Sequence, residues 1–180
     1  MNLRREYEIA FVGLKTGIHE YEYEVDDKFF THFGEQDFNN INALVKLTLD
    51  KHQGFLQLKF EVDGTLETNC DRCGNDLHVT LWDEFNIVVK LVDEPEKMNE
   101  EEDDPDVYYI SHTESHLHLE DWIYEFINLS IPMQNICGTD EKGNSKCDKK
   151  ALEKLKQMED EAAKTAMPVW KGLEQFKDLQ

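Results

Sequence analysis

The chain has 180 residues, of which 39% are hydrophobic and 32% charged, and 39 acidic side chains against 19 basic ones give a net charge of −20. This length predicts one domain with a packed core, or one domain with appendages, and ten phenylalanines, six tyrosines and three tryptophans argue against a disordered chain. So anionic a surface repels nucleic-acid phosphates and anionic membranes and favours a basic protein partner, although the charge could serve solubility alone.

The N-terminus predicts a cytoplasmic protein. Glu6 and Glu8 interrupt the apolar stretch that a secretory signal needs, and no apolar run approaches the roughly 20 residues of a membrane-spanning helix. In the cytoplasm, cysteines are expected to stay reduced unless a metal ion holds them.

The first part of the chain predicts strands and a short helix. Glu6 to Val25 is expected to form two strands around Gly13 and Gly17. Asp26-Asp27 then offers an N-cap for a short helix around Phe29 to Phe33.

Three longer segments alternate apolar and polar residues, as strands with one buried face do. They are Asn42 to Asp50, Phe55 to Thr68 and Leu77 to Leu91. The expected fold is α+β, with a mainly antiparallel twisted sheet or a partly open barrel and a C-terminal helical part.

Residues 93–106 break this pattern, because nine of the fourteen are acidic and Pro95 and Pro105 lie among them. Like charges this dense resist compaction, which predicts a solvated or disordered loop. The segment could also imitate RNA phosphates or hold a basic partner.

Helices are expected in the C-terminal half. Val107 to Ile110 predicts a short strand, and apolar residues at helical spacing predict a helix over 119–129. Asp148 can cap a charged helix that runs to about Met167, followed by an apolar tail that includes Trp170. We therefore expect a sheet-based domain over 1–135 and a cysteine-containing loop, charged helix and tail over 136–180.

The most specific chemical signal is Cys70-Asp71-Arg72-Cys73-Gly74, which lies between two predicted strands. A tight turn can direct both sulfurs to one point while its backbone N–H groups donate to them, as in a zinc knuckle. A thioredoxin-type motif would instead need the first cysteine at a helix N-terminus.

Cys137 and Cys147 are the other two cysteines, and glycines between them let the chain loop back. With Cys70 and Cys73 they could complete a tetrahedral Cys₄ zinc site, which would be structural because it leaves no open ligand position. The alternatives are four reduced thiols, or a Cys137–Cys147 disulfide.

No catalytic or organic-cofactor site is predicted. His112, His116 and His118 lack a cysteine or carboxylate partner at ligand spacing. The chain has no Gly-rich phosphate loop and no Gly-x-Ser-x-Gly elbow, and its carboxylates occur in runs rather than as isolated pairs.

From about Leu44 to Lys150 the sequence resembles the YceD family of large ribosomal RNA subunit accumulation proteins. Three features carry the resemblance in order: Thr68-Asn69-Cys70-Asp71-Arg72-Cys73 after a long strand, the acidic stretch leading to Val107-Tyr108-Tyr109-Ile110, and the helix that runs into Leu129-Ser130-Ile131-Pro132-Met133 before Cys137. Many members carry a second cluster of closely spaced cysteines, where this chain has Cys137 and Cys147.

The resemblance implies a non-enzymatic role in accumulation or processing of large-subunit ribosomal RNA. Combined with the charge, it predicts binding to a basic ribosomal protein or a pre-ribosomal particle, and not direct nucleic-acid contact as the main mode. The alternative function is a thiol oxidoreductase that uses Cys70 and Cys73.

Overall fold

The structure, a computed structural model, describes residues 3–140, 142–143 and 145–165. The chain divides into two compact units. The first contains the chain up to Thr68 together with Asp76–Asn135, and the second contains Asn69–Asn75 and the chain from Ile136 onward.

Twelve helices and strands, besides a 3₁₀ turn at Phe11–Gly13, make up the described secondary structure. In chain order they are α1 (Leu3–Glu6), β1 (Glu8–Ile9), β2 (Gly17–Asp26), α2 (Asp27–Phe30), β3 (Asn39–Lys51), β4 (Phe55–Asn69), β5 (Asp76–Val92), α3 (Pro95–Glu101), β6 (Val107–Ser111), β7 (Leu117–His118), α4 (Glu120–Leu129) and α5 (Lys149–Thr165).

A five-stranded mixed sheet in the order β2-β3-β4-β5-β6 is the frame of the first unit. The pairs β2–β3 and β3–β4 are antiparallel, whereas β5 and β6 run parallel, with Val88 opposite Val107. The α+β class is confirmed. Within the described residues β2 and β6 lie at opposite edges of the sheet and do not pair with each other, so the sheet does not close into a barrel.

The connection between the parallel strands β5 and β6 corrects one expectation. Residues 93–106 were expected to be a solvated or disordered loop, but they contain α3, with Pro95 at its first turn. A parallel pair needs a crossover of about a dozen residues or more, and these fourteen residues supply it. A hairpin turn would have made the pair antiparallel.

Alternation along β3, β4 and β5 sends one set of side chains into the core, as expected. On β3 the buried positions are Ile41, Ala43, Val45, Leu47 and Leu49. Helix α4 covers this face of the sheet, since Phe126 stacks on Phe85 at 4.3 Å between ring centroids and meets Phe60 edge-on at 5.0 Å. The apolar stripe expected for this helix is therefore part of the core.

The two strands expected in the N-terminal part are present as β1 and β2, on either side of the 3₁₀ turn. They do not pair with each other in one sheet: β1 pairs with β7 as a separate two-stranded sheet, with Ile9 opposite Leu117. The cap is confirmed: the Asp26 carboxylate accepts a hydrogen bond of 2.9 Å from the Lys28 N–H at the start of α2.

In the second unit, α5 begins where expected. The Asp148 carboxylate accepts from the Lys150 N–H at 2.7 Å, as an N-cap does. The expected end near Met167 and the apolar tail with Trp170 lie outside the described residues. Among the helices in the described ranges, none combines the length and hydrophobicity that a membrane-spanning helix requires.

Candidate metal centre

The loop between β4 and β5 presents the first two cysteines. The Cys70 N–H donates to the carbonyl of Asn75 at 2.8 Å, and the Gly74 N–H donates to the carbonyl of Cys70 at 2.8 Å. Gly74 has a φ of 72°, a conformation that glycine adopts without steric cost. These bonds close a tight turn that keeps the side chains of Cys70 and Cys73 next to each other.

A second loop presents Cys137 and Cys147. Thr139 and Ser145 form an antiparallel bridge, and the Lys146 N–H donates to the carbonyl of Gly138 at 2.9 Å. This small hairpin returns the chain on itself. As a result, two cysteines separated by nine residues lie at the same end of the loop.

The four sulfurs converge on one point in the second unit. All four lie within 4.8 Å of one another; Sγ of Cys70 is 3.8 Å from Sγ of Cys147, and Sγ of Cys73 is 3.6 Å from Sγ of Cys137. Zinc–thiolate bonds of about 2.3 Å place the corners of a tetrahedron about 3.8 Å apart. The cluster therefore has the size of a Cys₄ metal site.

None of the four cysteines is in a disulfide. A disulfide would bring two sulfurs to about 2.05 Å, far closer than the separations seen here. The Cys137–Cys147 disulfide considered for the sequence is thus absent.

Backbone N–H groups donate hydrogen bonds to the Cys70 sulfur and affect its pKa. Burial raises the pKa of the Cys70 thiol, but N–H groups of Arg72, Cys137 and Cys73 donate to its sulfur and together hold that pKa below its ordinary value. The bond from the Cys137 N–H is 3.3 Å long. This donor joins the two loops, and no sequence pattern signals it, because every non-proline residue carries an N–H.

Cys137 behaves in the opposite way. Burial, followed by the neighbouring thiols of Cys70, Cys73 and Cys147, raises its pKa. Four sulfurs this close resist becoming thiolates together, because their negative charges repel. A divalent cation among them would remove that repulsion.

The surroundings of the cluster suit a structural site better than a reactive thiol. Only 3% of Cys70 and 4% of Cys147 is exposed. Cys70 lies in a turn between two strands and not at a helix N-terminus, so the helix dipole that activates thioredoxin-type cysteines is missing from this loop.

Among the described residues, no histidine belongs to a cluster of metal-ligating side chains. His116 lies 3.8 Å from the Glu8 carboxylate and shares a 2.7 Å hydrogen bond with the Ser115 hydroxyl, while His112 and His118 are exposed. Within the part of the chain that the structure describes, the four cysteines are the one cluster of three or more metal-ligating side chains.

A family model described as large ribosomal RNA subunit accumulation protein YceD matches residues 58–177, which is most of the chain and contains all four cysteines. The chain belongs to the YceD family. The family resemblance noted from the sequence is therefore confirmed. Comparisons with curated proteins and with solved structures found no match.

Proposed function

We propose that this YceD-family chain is a non-enzymatic cytoplasmic accessory factor in the accumulation or processing of large-subunit ribosomal RNA. The observation that carries the proposal is the family match over residues 58–177. The direct contact would be a basic ribosomal protein or a pre-ribosomal particle.

The net charge of −20 supports a protein contact over an RNA contact. Nucleic-acid binding depends on lysines and arginines that neutralise phosphates and release counterions. A surface with twice as many acidic as basic side chains repels RNA and attracts the basic proteins that are bound to it.

We further propose that Cys70, Cys73, Cys137 and Cys147 hold a structural Zn²⁺. The sulfur separations of 3.6 and 3.8 Å support this assignment, because they fit a tetrahedral thiolate site. Four protein ligands leave no position for water or substrate. The ion would stabilise the two loops and perform no catalysis.

The role in RNA accumulation is tested in cells that lack the chain. We expect the ratio of large-subunit to small-subunit ribosomal RNA to fall, and wild-type protein or His116→Ser to restore it. Cys73→Ser is expected not to restore it, because three thiolates bind zinc too weakly to keep the loops closed.

An unchanged RNA ratio in cells without the chain would contradict the proposed role. Normal rescue by Cys73→Ser would separate the role from the metal site. Insulin reduction by the purified protein, with thiols that react before any chelator is added, would favour the thiol oxidoreductase instead.

A further inference from the structure

The sheet of the first unit has a core face and an acidic, exposed face. Alternate residues of β2 show this division: Glu20, Glu22 and Glu24 are exposed, whereas Tyr21 and Tyr23 pack against the core. The exposed carboxylates continue across the neighbouring strands, because strand register places further outward-facing residues beside them.

Two rows of paired residues lie on this acidic face, and Glu20 lies next to them, opposite Thr48 on β3. In the first row, Glu24 lies opposite Leu44 on β3, and Leu44 lies opposite Asp63 on β4. In the second, the row runs from Glu22 through Lys46 to Glu61.

The lysines on this face neutralise only some of its carboxylates. Lys46 lies 3.7 Å from Glu22, and Lys59 lies 3.1 Å from Glu61 and 3.2 Å from Glu84. Among the described residues, no salt bridge involves Glu20, Glu24 or Asp63. These three carboxylates contribute to the surplus negative charge of the face.

Trp82 lies on β5, next to the β4 end of these rows. It is 71% exposed, although Leu81 beside it is completely buried. With Leu44, Asp63 and Glu61, among others, it lines a shallow depression of about 340 Å³. No aromatic ring within the described chain contacts it.

We propose that the acidic face around Trp82 binds an arginine- and lysine-rich protein segment. A guanidinium group can lie over the Trp82 ring, while other cations of the segment pair with Asp63 in the same depression and, three strands away on β2, with Glu20 and Glu24. This inference rests on the proposed function, since it names the surface that the basic ribosomal partner would occupy.

Charge complementarity selects this occupant among the possible ones. RNA and anionic lipid surfaces carry the same sign of charge as the face and are repelled. A second copy of the chain, docked by the same face, would bring two sets of unpaired carboxylates together. A basic peptide gains both the ion pairs and the contact with the indole ring.

The test uses a fluorescent peptide of alternating arginine and serine, with binding followed by anisotropy at physiological salt. The combined variant Glu20→Lys, Glu24→Lys, Asp63→Lys is expected to weaken binding by at least about tenfold, because each exposed ion pair contributes about 0.2–1 kcal/mol and reversal adds repulsion. Trp82→Ala is expected to weaken it by about threefold.

The matched control makes the same charge change elsewhere in the first unit. Glu96, Glu100 and Glu101 are exposed on α3, and their combined change to lysine is expected to alter affinity by about twofold or less. Equal weakening by the two combined variants would mean that only net charge matters and would overturn the proposed face. We call Glu20→Lys, Glu24→Lys, Asp63→Lys the face variant. If it and Trp82→Ala both bind the peptide as tightly as the wild type, the proposed face is also overturned.

Sedimentation of cell lysate separates this inference from the proposed function. If the wild-type chain and the face variant both co-sediment with large-subunit particles and both bind the peptide, the assignment of the binding face is wrong and the proposed function stands. If the face variant alone loses the peptide, while cells without the chain keep a normal RNA ratio, the face is right and the function is wrong.

Discussion

At the scale of single residues, Gly64 shows how closely two strands approach. It lies opposite Ala43 in the β3–β4 pair, with a φ of 159°. A Cβ atom there would lie 2.5 Å from the carbonyl oxygen of Asn42 and 2.7 Å from Cα of Ala43. Both contacts are with backbone, which cannot rotate away as a side chain can.

We expect Gly64→Ala to destabilise the chain by about 2 kcal/mol or more, because β3 and β4 must move apart to admit the methyl group. The matched control is Gly13→Ala, where nothing lies within 4 Å of the added Cβ. Urea unfolding followed by circular dichroism measures both variants. A loss at Gly64 no larger than that at Gly13 would show that the strands adjust freely.

The cysteines were predictable as individual residues, and their convergence was predictable from metal chemistry. Two pairs separated by 63 residues carry no periodic signal, yet four cysteines in two pairs match the ligand set of a structural zinc site. What the sequence could not give is the donor geometry. The Cys137 N–H reaches Sγ of Cys70 only because the hairpin at Thr139 and Ser145 places it there.

At the scale of secondary structure elements, α3 shows where charge density misleads. Its acidic sequence predicts a solvated loop, but one polar side chain docks the helix on the sheet edge. The Asn99 amide donates to the carbonyl of Tyr109 at 2.9 Å and accepts from its N–H at 2.8 Å. Asn99 thus bonds the backbone groups of β6 that a further strand would otherwise bond. The composition of residues 93–106 does not indicate this contact, because it depends on a residue outside the segment.

A second contact supports the same docking. The Tyr109 hydroxyl donates to the Glu102 carboxylate at 2.6 Å, and this hydrogen bond lowers the pKa of Glu102. A lowered carboxyl pKa means that the contact stabilises the fold above the ordinary glutamate range. The stabilisation is lost as the pH falls through the lowered pKa.

We expect Asn99→Ala to release α3 from β6. The Tyr109 N–H and carbonyl would lose their partner, at a cost of about 1–3 kcal/mol if both stay buried. The Tyr109 amide should exchange its hydrogen faster in Asn99→Ala than in the wild type. The control is Glu100→Ala, which changes an exposed residue of the same helix and should leave this exchange rate unchanged. An unaltered Tyr109 amide in Asn99→Ala would contradict this role.

At the scale of the whole molecule, most strands of the first unit and its helix α4 were predictable from the sequence. An element with one buried face has apolar residues at regular spacing, every second residue in a strand and every three to four in a helix. The parallel direction of β6 was not predictable in this way, since alternation is the same in parallel and antiparallel neighbours. The buried hydrophobic residues that pack together as the core cluster lie between Tyr7 and Ile127, and none of them belongs to Asn69–Asn75. The first unit therefore has a complete core of its own, whereas the second unit gathers four sulfurs.

This contrast predicts what metal removal does. Purified without chelators, the protein is expected to contain one Zn²⁺ per chain, and His116→Ser to keep it. A strong chelator should open the cysteine loops, because structural zinc contributes about 10–16 kcal/mol of apparent binding energy in small domains. Amides around Cys70 and Cys147 should then exchange faster, while those of β3 and β4 stay protected by the core cluster. Absence of zinc from the wild type would contradict the structural role assigned to the four cysteines. Loss of protection in β3 on chelation would instead contradict the conclusion that the first unit is held by its own core.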